Sequence, residues 1–519
     1  MKKFYIAGQE TNDAVCGIGS QNFYKIKNSL VDNGWTMVEN FREADAIICC
    51  FCAFTSDDIK DNINSLKMYK NETGKIYITG CMASIKEVIE PLRKEIKFEE
   101  FKTIDALIQK LTGTETTSYI EVIGGQATIT FADGCNPKKS GWCSFCKQWY
   151  MKRPLECKPI KQVVHEIEIA TSKGARWITL HAMNATQYKD PITGAGLLEL
   201  LQACVAVEGP IFQLNALVAA EMTDELGEFI KKCDRIAIIG LETQSFIPKV
   251  RKKMNVGDDN ARALKKWLQA FSNKAIISDL IVGHPGENNA NFEEQKNFIK
   301  KSGYYFLIVN PLIINIGTPV AKMEYVDNSI TYRRLSDLIF VIDEMRKKQF
   351  ESIKGKEIEA IVIKKLQKER TMVCLYKSIY IIVKEGYRDD IKVGDKITVV
   401  CKSVLVYRNS AQFMEVSDEE EVTKNAQQQE NQEEMKATLK SIDSALEFAP
   451  ANLVPELQAI KDSVNRGADS PEKTMELLEN LMLKMFMNVK HFPAETSGKK
   501  TKPHTAISLA EFVNEQINR

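Results

Sequence analysis

No stretch of this sequence reaches the roughly 18 unbroken apolar residues that a membrane helix requires, so no membrane partner is expected. The opening, MKKFYIAGQETND, lacks the apolar core of a secretory leader, and the expected location is cytoplasmic. Charge of one sign is also missing: 70 Lys and Arg face 69 Asp and Glu, a net +1. No global field therefore draws the chain to nucleic acid or an anionic surface, and any such binding has to come from a local patch. No internal repeat is visible. What the chain does have is cysteine, thirteen in 519 residues. In a reducing compartment that number argues for metal or redox work rather than a disulfide framework. The length calls for several domains, each able to bury a core.

Three cysteines stand in one short segment, FADGCNPKKSGWCSFCKQW: Cys135, Cys143 and Cys146. The last two form a C-x2-C knuckle around Phe145, and Cys135 lies in a Gly-Cys-Asn turn. Three clustered thiolates suit three irons of a [4Fe–4S] cube, leaving the fourth iron open. They suit zinc as well, because thiolate sets take both. A structural zinc site normally has four closed ligands, and Cys157, eleven residues on, is the available fourth. A second set, Cys16, Cys52 and Cys81, lies upstream. Cys49 and Cys50 border it, and Cys50 either faces that site or fills the sheet core. Cys157, Cys204, Cys233, Cys374 and Cys401 read as small buried hydrophobes.

The pattern of apolar runs makes this an α/β chain. Residues 1–112 read as an N-terminal α/β domain, with strands KFYIAG, DAIICCF and KIYITG. The cysteines of the upstream set follow those strands, at the edge where open parallel sheets place ligands. Residues 125–348 continue the alternation through ATITFAD, RWITLHA, IFQLNAL, RIAIIGLE, AIISDLIVG and YYFLIVNPLI. Six such strands separated by helices predict a partial parallel (β/α)6 barrel, with the three-cysteine loop at its active-site face. Residues 351–418 switch to period-two alternation and predict a small antiparallel β-barrel. Over 351–410 basic residues outnumber acidic ones thirteen to eight, beside Tyr376, Tyr380 and Tyr407, which fits RNA contact or simply a solvated surface. Residues 419–438 are polar and linker-like. Residues 439–519 predict a helical extension, whose Met475, Leu478, Met482, Met485, Phe486 and Val489 share one face. That face is for packing or for a partner protein.

Across roughly residues 1–418 the chain resembles the radical-SAM methylthiotransferases, which insert sulfur and a methyl group at an unactivated carbon–hydrogen bond. EADAIICCFCAFT resembles the family's EADxxxxNTCxVT, and ITGCMAS its third-cysteine strand end. ITLHAMNATQY is similar to the Gly-Gln-Asn-Val segment, retaining Asn184. GLETQSFIPKVRKKMNVG is similar to PLQSGSDxVLKxMNRG, SDLIVGHPGENNANFEE to TDxIVGFPGETEEDFEE, and INIGTPVAKM to RPGTPAAxM. The 351–418 barrel resembles the TRAM domain that usually binds tRNA. The chain departs from the family in its C-x7-C-x2-C spacing, where C-x3-C-x2-C is usual. It also lacks the Asn-Thr before Cys52 and the Arg-Gly after Cys146, and His284 stands where the family has Phe.

The resemblance implies two [4Fe–4S] clusters and S-adenosyl-L-methionine. Cys135, Cys143 and Cys146 would hold the radical-generating cluster, and Cys16, Cys52 and Cys81 an auxiliary, sulfur-carrying one. Asn184, Gln244, Ser245, Gly283 and Gly317 are the candidate cofactor-binding residues. For the three polar ones the alternative is satisfied strand-end hydrogen bonding, and for the glycines it is turn geometry. His284 is expected to be a pocket wall, not a ligand. The implied substrate is a modified adenosine in tRNA, with a protein or peptide side chain as the alternative, and the implied electron source is a low-potential donor. A reading of another class is a non-catalytic iron–sulfur protein that binds RNA or protein.

Overall fold

The computed structural model describes residues 2–416 apart from residues 8–16, 54, 115–119, 258–260, 273, 303–306, 367–369, 377–378, 384–386, 401–404 and 407–413. Cys16, Cys401, Tyr407, the linker 419–438 and the extension 439–519 lie outside the described residues, as do the side chains of Tyr380 and its neighbours. Contacts divide the chain into two units, and the described residues other than Asp327–Ile330 all belong to the first.

The N-terminal sheet is wholly parallel, in the order β2-β1-β3-β4-β5: β1 (Lys3–Ala7), β2 (Thr36–Met37), β3 (Ala46–Cys50), β4 (Lys75–Thr79) and β5 (Glu99–Glu100). Its strands are apolar runs because both faces are covered. Ile47, Cys49 and Phe51 enter one core with helices α2 (Ser56–Tyr69) and α3 (Lys86–Glu95). Ala46, Ile48 and Cys50 enter the other, against α1 (Gly17–Asp32) and α4 (Ile104–Thr112). This is the period-two alternation of a strand, and it makes Cys50 a core residue. A capping box between Thr55 and Asp58 starts α2 just past Cys52.

The second sheet has six parallel strands in the order β13-β12-β11-β10-β9-β6. They are β6 (Gln126–Thr130), β9 (Trp177–His181), β10 (Ile211–Val218), β11 (Ile236–Glu242), β12 (Ala275–Val282) and β13 (Leu307–Pro311). A short pair, β7 (Ala132–Asp133) and β8 (Glu156–Cys157), brackets the three-cysteine loop. The crossovers carry α5 (Gln148–Met151), α6 (Ile160–Ser172), α7 (Leu197–Ala206), α8 (Asp224–Lys232), α9 (Pro248–Met254), α10 (Arg262–Ala270) and α11 (Asn289–Ser302), with α12 (Asn328–Glu351) following β13. Neighbours in space are neighbours in sequence, as the alternation predicts for a partial barrel. Phe131, Phe212, Trp267 and Phe271 are buried in the core between sheet and helices.

The third sheet comprises β14 (Glu357–Leu366), β15 (Thr371–Tyr376), β16 (Ile379–Val383), β17 (Lys396–Val400), β18 (Leu405–Val406) and β19 (Met414–Val416), in the order β17-β14-β15-β16-β19-β18. TMVCLYKSIYIIVKE divides into the antiparallel pair β15–β16, registered Tyr376 to Ile379. All pairings are antiparallel except β16–β19, which is parallel. Ile363, Val373 and Leu375 of this sheet pack on Trp177, Ile238 and Ala275 of the parallel sheet. Among the described residues no helix is long and apolar enough to cross a membrane.

Candidate active site

The loop carrying Cys135, Cys143 and Cys146 leaves the carboxyl end of β6 and is fixed by its own aromatic and amide groups. Trp142 Nε1 donates to the Cys135 carbonyl and Trp149 Nε1 to the Cys143 carbonyl, each at 2.9 Å. The two indoles meet edge to face at 5.8 Å. Gly141, at φ +93°, lies flat on Trp149, where a Cβ would come within 2.6 Å of the ring. Asn255 ends α9 in the left-handed region, φ +57°, a conformation asparagine tolerates. From there its Nδ2 reaches the carbonyls of Gly141 (3.2 Å) and Trp142 (2.8 Å), and its Oδ1 accepts from Ser140 Oγ at 2.6 Å.

Ser144, inside the C-x2-C knuckle, is held from three sides. Its N–H donates to Met254 O at 2.8 Å, and its carbonyl accepts from Val320 N–H at 3.0 Å. Its hydroxyl lies 3.1 Å from His284 Nε2. Gly286 N–H donates to His284 Nδ1 at 3.2 Å, so the ring proton sits on Nε2 and is donated to Ser144. Burial, reinforced by Lys253, pushes His284 down to about 4, so the imidazole stays neutral. His284 is fully buried behind the C-x2-C knuckle, held by Ser144 and Gly286.

The three thiols share one environment. Burial pushes Cys146 up to about 11, a Gln148 N–H opposes the rise, and Cys143 and Cys135 add to it. Cys135 is raised by burial and then by Cys143. Cys143 is raised by burial, and Lys138 Nζ, 3.5 Å from its sulfur, opposes this. Cys135 and Cys146 therefore cost more to ionise because a neighbouring thiol is near, which a cationic metal centre taking them as thiolates would offset. Cys157 belongs elsewhere: its thiol is raised by burial and by Asp190 on the β8 side. Among the described residues no group of three His, Cys, Asp or Glu side chains is gathered closely enough to hold a metal ion. Three free, half-buried cysteines on one loop are the donors that a [4Fe–4S] cube with one iron left for another ligand would use.

Polar side chains follow the carboxyl ends of the barrel strands. Asn184 hydrogen-bonds Cys135 and donates to Glu221 Oε2 at 2.9 Å. Thr186 and Gln187 also reach Glu221, at 3.0 and 3.3 Å. Gln244 has φ +61°, rare for a side chain other than glycine, and its Nε2 donates to Glu242 Oε2 at 2.8 Å. Burial, helped by Asp279, pushes Glu242 up to about 7. Asp279 is itself raised by burial and relieved by Asn310. Ser245 is brought to the strand end but is committed locally: it donates to Gln295 Oε1 at 2.9 Å and accepts from Ile247 N–H at 3.1 Å. Gly283, at φ +83°, gives its bare Cα to Thr331, whose hydroxyl would lie 2.4 Å from a Cβ. Gly317 has φ +89°, a turn conformation.

The upstream cysteines meet this loop through α5. Cys52 follows β3 and Cys81 follows β4, so both stand at the carboxyl edge of the N-terminal sheet. Tyr150 and Met151 of α5 insert into the core of that domain. The Tyr150 hydroxyl donates to Ala53 O at 3.2 Å and is raised by burial, then by Cys146, Cys52, Asp58 and Cys81. One phenol thus feels sulfurs of both sets. Arg153 forms an ion pair with Asp133 and stands 3.9 Å from Cys81 Sγ. Sequence reading missed Lys138, Tyr150, Arg153, Glu221, Glu242, Asn255 and Asp279. Three of these carried a signal: Asn255 and Asp279 lie in the quoted stretches KKMNVG and SDLIVG, and Glu242 closes the apolar run RIAIIGLE.

Comparison with known proteins covers both regions. The Radical SAM superfamily matches residues 129–299, and uncharacterized protein family UPF0004 matches residues 15–101. The chain is 28% identical over 384 residues to a tRNA-2-methylthio-N(6)-dimethylallyladenosine synthase of Clostridium botulinum, across 67% of this chain and 84% of that protein. It is 25% identical over 425 residues to ribosomal protein uS12 methylthiotransferase RimO of Dictyoglomus thermophilum, across 73% of this chain and 93% of that protein.

Proposed function

The chain belongs to the radical-SAM methylthiotransferases, and on that premise we propose that it places a methylthio group on a modified adenosine of tRNA. The observation that carries the reading is α5, which starts two residues after Cys146 and inserts Tyr150 and Met151 into the N-terminal core against which Cys81 packs, Tyr150 donating to Ala53 O beside Cys52. A methylthiotransferase needs a hydrogen-abstracting centre and a sulfur-delivering centre within one substrate's length, and this helix joins them. Its cofactors are S-adenosyl-L-methionine and [4Fe–4S] clusters, which when bound supply the radical and the sulfur.

The chain's own residues do the positioning. Cys135, Cys143 and Cys146 would hold one cluster, and Cys52 and Cys81, with Cys16, the other. Asn184 and the Glu221 group offer hydrogen-bond partners beside Cys135, where the methionine part of the cofactor would dock. Gln244, Glu242 and Asp279 offer acceptors deeper in the barrel, where a ribose or a base edge would be held. Ser144 and Asn255 anchor the loop, and the two tryptophans hydrogen-bond its backbone carbonyls. The basic excess of 351–410 supports RNA as the substrate, and a cytoplasmic location goes with it.

The test is anaerobic reconstitution followed by incubation with S-adenosylmethionine, a low-potential reductant and either tRNA bearing dimethylallyladenosine or a ribosomal-protein peptide. A nucleoside heavier by one methylthio group in place of hydrogen is the expected product. Modification of the peptide alone would replace the tRNA reading with the protein one. Changing Cys135, Cys143 and Cys146 together to Ala should halve the iron content, and unchanged iron would sink the cluster assignment.

A further inference from the structure

The longer loop between Cys135 and Cys143 places a lysine against a cluster ligand. Lys138 Nζ lies 3.5 Å from Cys143 Sγ and 3.0 Å from the Asn255 carbonyl. Its stem crosses Gly257, where a Cβ would come within 3.4 Å of the lysine Cε, so the glycine leaves the channel the side chain uses. Asn255 fixes both ends of this arrangement, because it accepts the ammonium through its carbonyl and clamps residues 140–142 through its side chain. The facing charges are few. Glu242 opposes Lys138 at Cys143, and Glu221 opposes it at Cys135. Lys138 belongs to the PKKSGW segment, within which this loop is longer than the C-x3-C spacing.

We propose that Lys138 is a tuning residue for the cluster held by Cys135, Cys143 and Cys146, its ammonium bonding the Cys143 sulfur and raising that cluster's reduction potential. This rests on the cysteine assignment made above. An added electron, supplied by a low-potential one-electron carrier, spreads negative charge onto the ligand sulfurs. A cation hydrogen-bonded to one of them favours the reduced state. No proton moves, because the ammonium donates a hydrogen bond and keeps its proton. Lysine suits the task as a compact point charge with three donors, two of which are assigned here. The functional consequence is a cluster that a weaker reductant can reduce. The longer loop thereby widens the set of electron donors the protein can use.

The test is a potentiometric EPR titration of the reconstituted full-length chain, following the signal that changes on adding S-adenosylmethionine. Lys138→Met should shift the midpoint of that signal to more negative potential while the other cluster's midpoint and the iron content stay unchanged. Lys138→Arg should return it toward the parent value. Equal midpoints in Lys138→Met and parent at equal iron would overturn the proposal, as would Lys138→Arg behaving like Lys138→Met, since packing of the stem would then explain everything. If Lys138→Met holds less iron, Lys138→Gln, which keeps a donor without the charge, is titrated in its place and judged by the same shift. A parent chain with no S-adenosylmethionine-responsive cluster would remove the cysteine assignment, and the inference with it. A shift that is absent in an otherwise normal cluster removes the inference alone.

Discussion

Replacing His284 with phenylalanine, the residue its relatives resemble at this position, should destabilise the barrel at pH 8 but not at pH 5. The ring is fully buried. Its Nε2–H is the partner of the Ser144 hydroxyl at 3.1 Å, and its Nδ1 is the partner of Gly286 N–H at 3.2 Å. Phenylalanine leaves that buried hydroxyl and amide unpaired, at a cost of about 1–3 kcal/mol. The histidine carries an opposing, pH-dependent cost. The unfolded chain takes up the proton below its ordinary value of 6.5, whereas the folded chain does so only near 4. The unfolded state therefore binds more protons in that window, and the wild type loses stability as pH falls through it. At pH 5 the loss is about 2 kcal/mol, and at pH 8 it is nearly zero. The two costs are of similar size, so the variant should match or exceed the wild type at pH 5. The assay is thermal unfolding of the metal-free chain followed by tryptophan fluorescence, with Tm compared at both pH values. A Tm difference that does not change with pH would refute the reasoning, because the imidazole would then titrate normally and could not be the buried neutral donor described.

Glu242→Gln should show the opposite trend. The folded carboxyl stays protonated up to about 7 while the unfolded one ionises from 4.5, so the wild type loses stability as pH rises through that window, by on the order of 3 kcal/mol. The variant should gain Tm over the parent at pH 8 and not at pH 4. Asn255→Ala removes hydrogen bonds to the loop and puts alanine at φ +57°, so a loss of about 2–4 kcal/mol is expected. Iron retention after gel filtration should fall with it, and a chain that holds its iron would show that the clamp is dispensable. Gly141→Ala drives a methyl into Trp149 and should change the Trp149 fluorescence and lower Tm, by about 1–3 kcal/mol of overpacking and backbone strain. Tyr150→Phe keeps the ring in the N-terminal core and loses only the bond to Ala53, so Tm should fall by a few degrees at most.

Local pattern was enough for the strands and the parallel sheet. A strand covered on both faces must be a continuous apolar run, and six of these between helices leave little choice of topology. Cys143 and Cys146 could be paired from their spacing, because two residues between ligands set their distance whatever the fold. Ser245 shows where this fails. Its motif pointed to the cofactor, but its hydroxyl is taken by Gln295, fifty residues away, a partner that no window around Ser245 contains. Asn255 is 117 residues from Lys138, and Tyr150 is 97 from Ala53. These contacts exist because α9 and α5 dock where they do, and docking is settled by the packing of whole faces. The order of residues sets which chemistry is available: which sulfurs, carboxylates and amides the chain can offer. Which of them meet is settled by how the helices and sheets dock, because charge and hydrogen bonding act through a few ångströms of space and not along the chain.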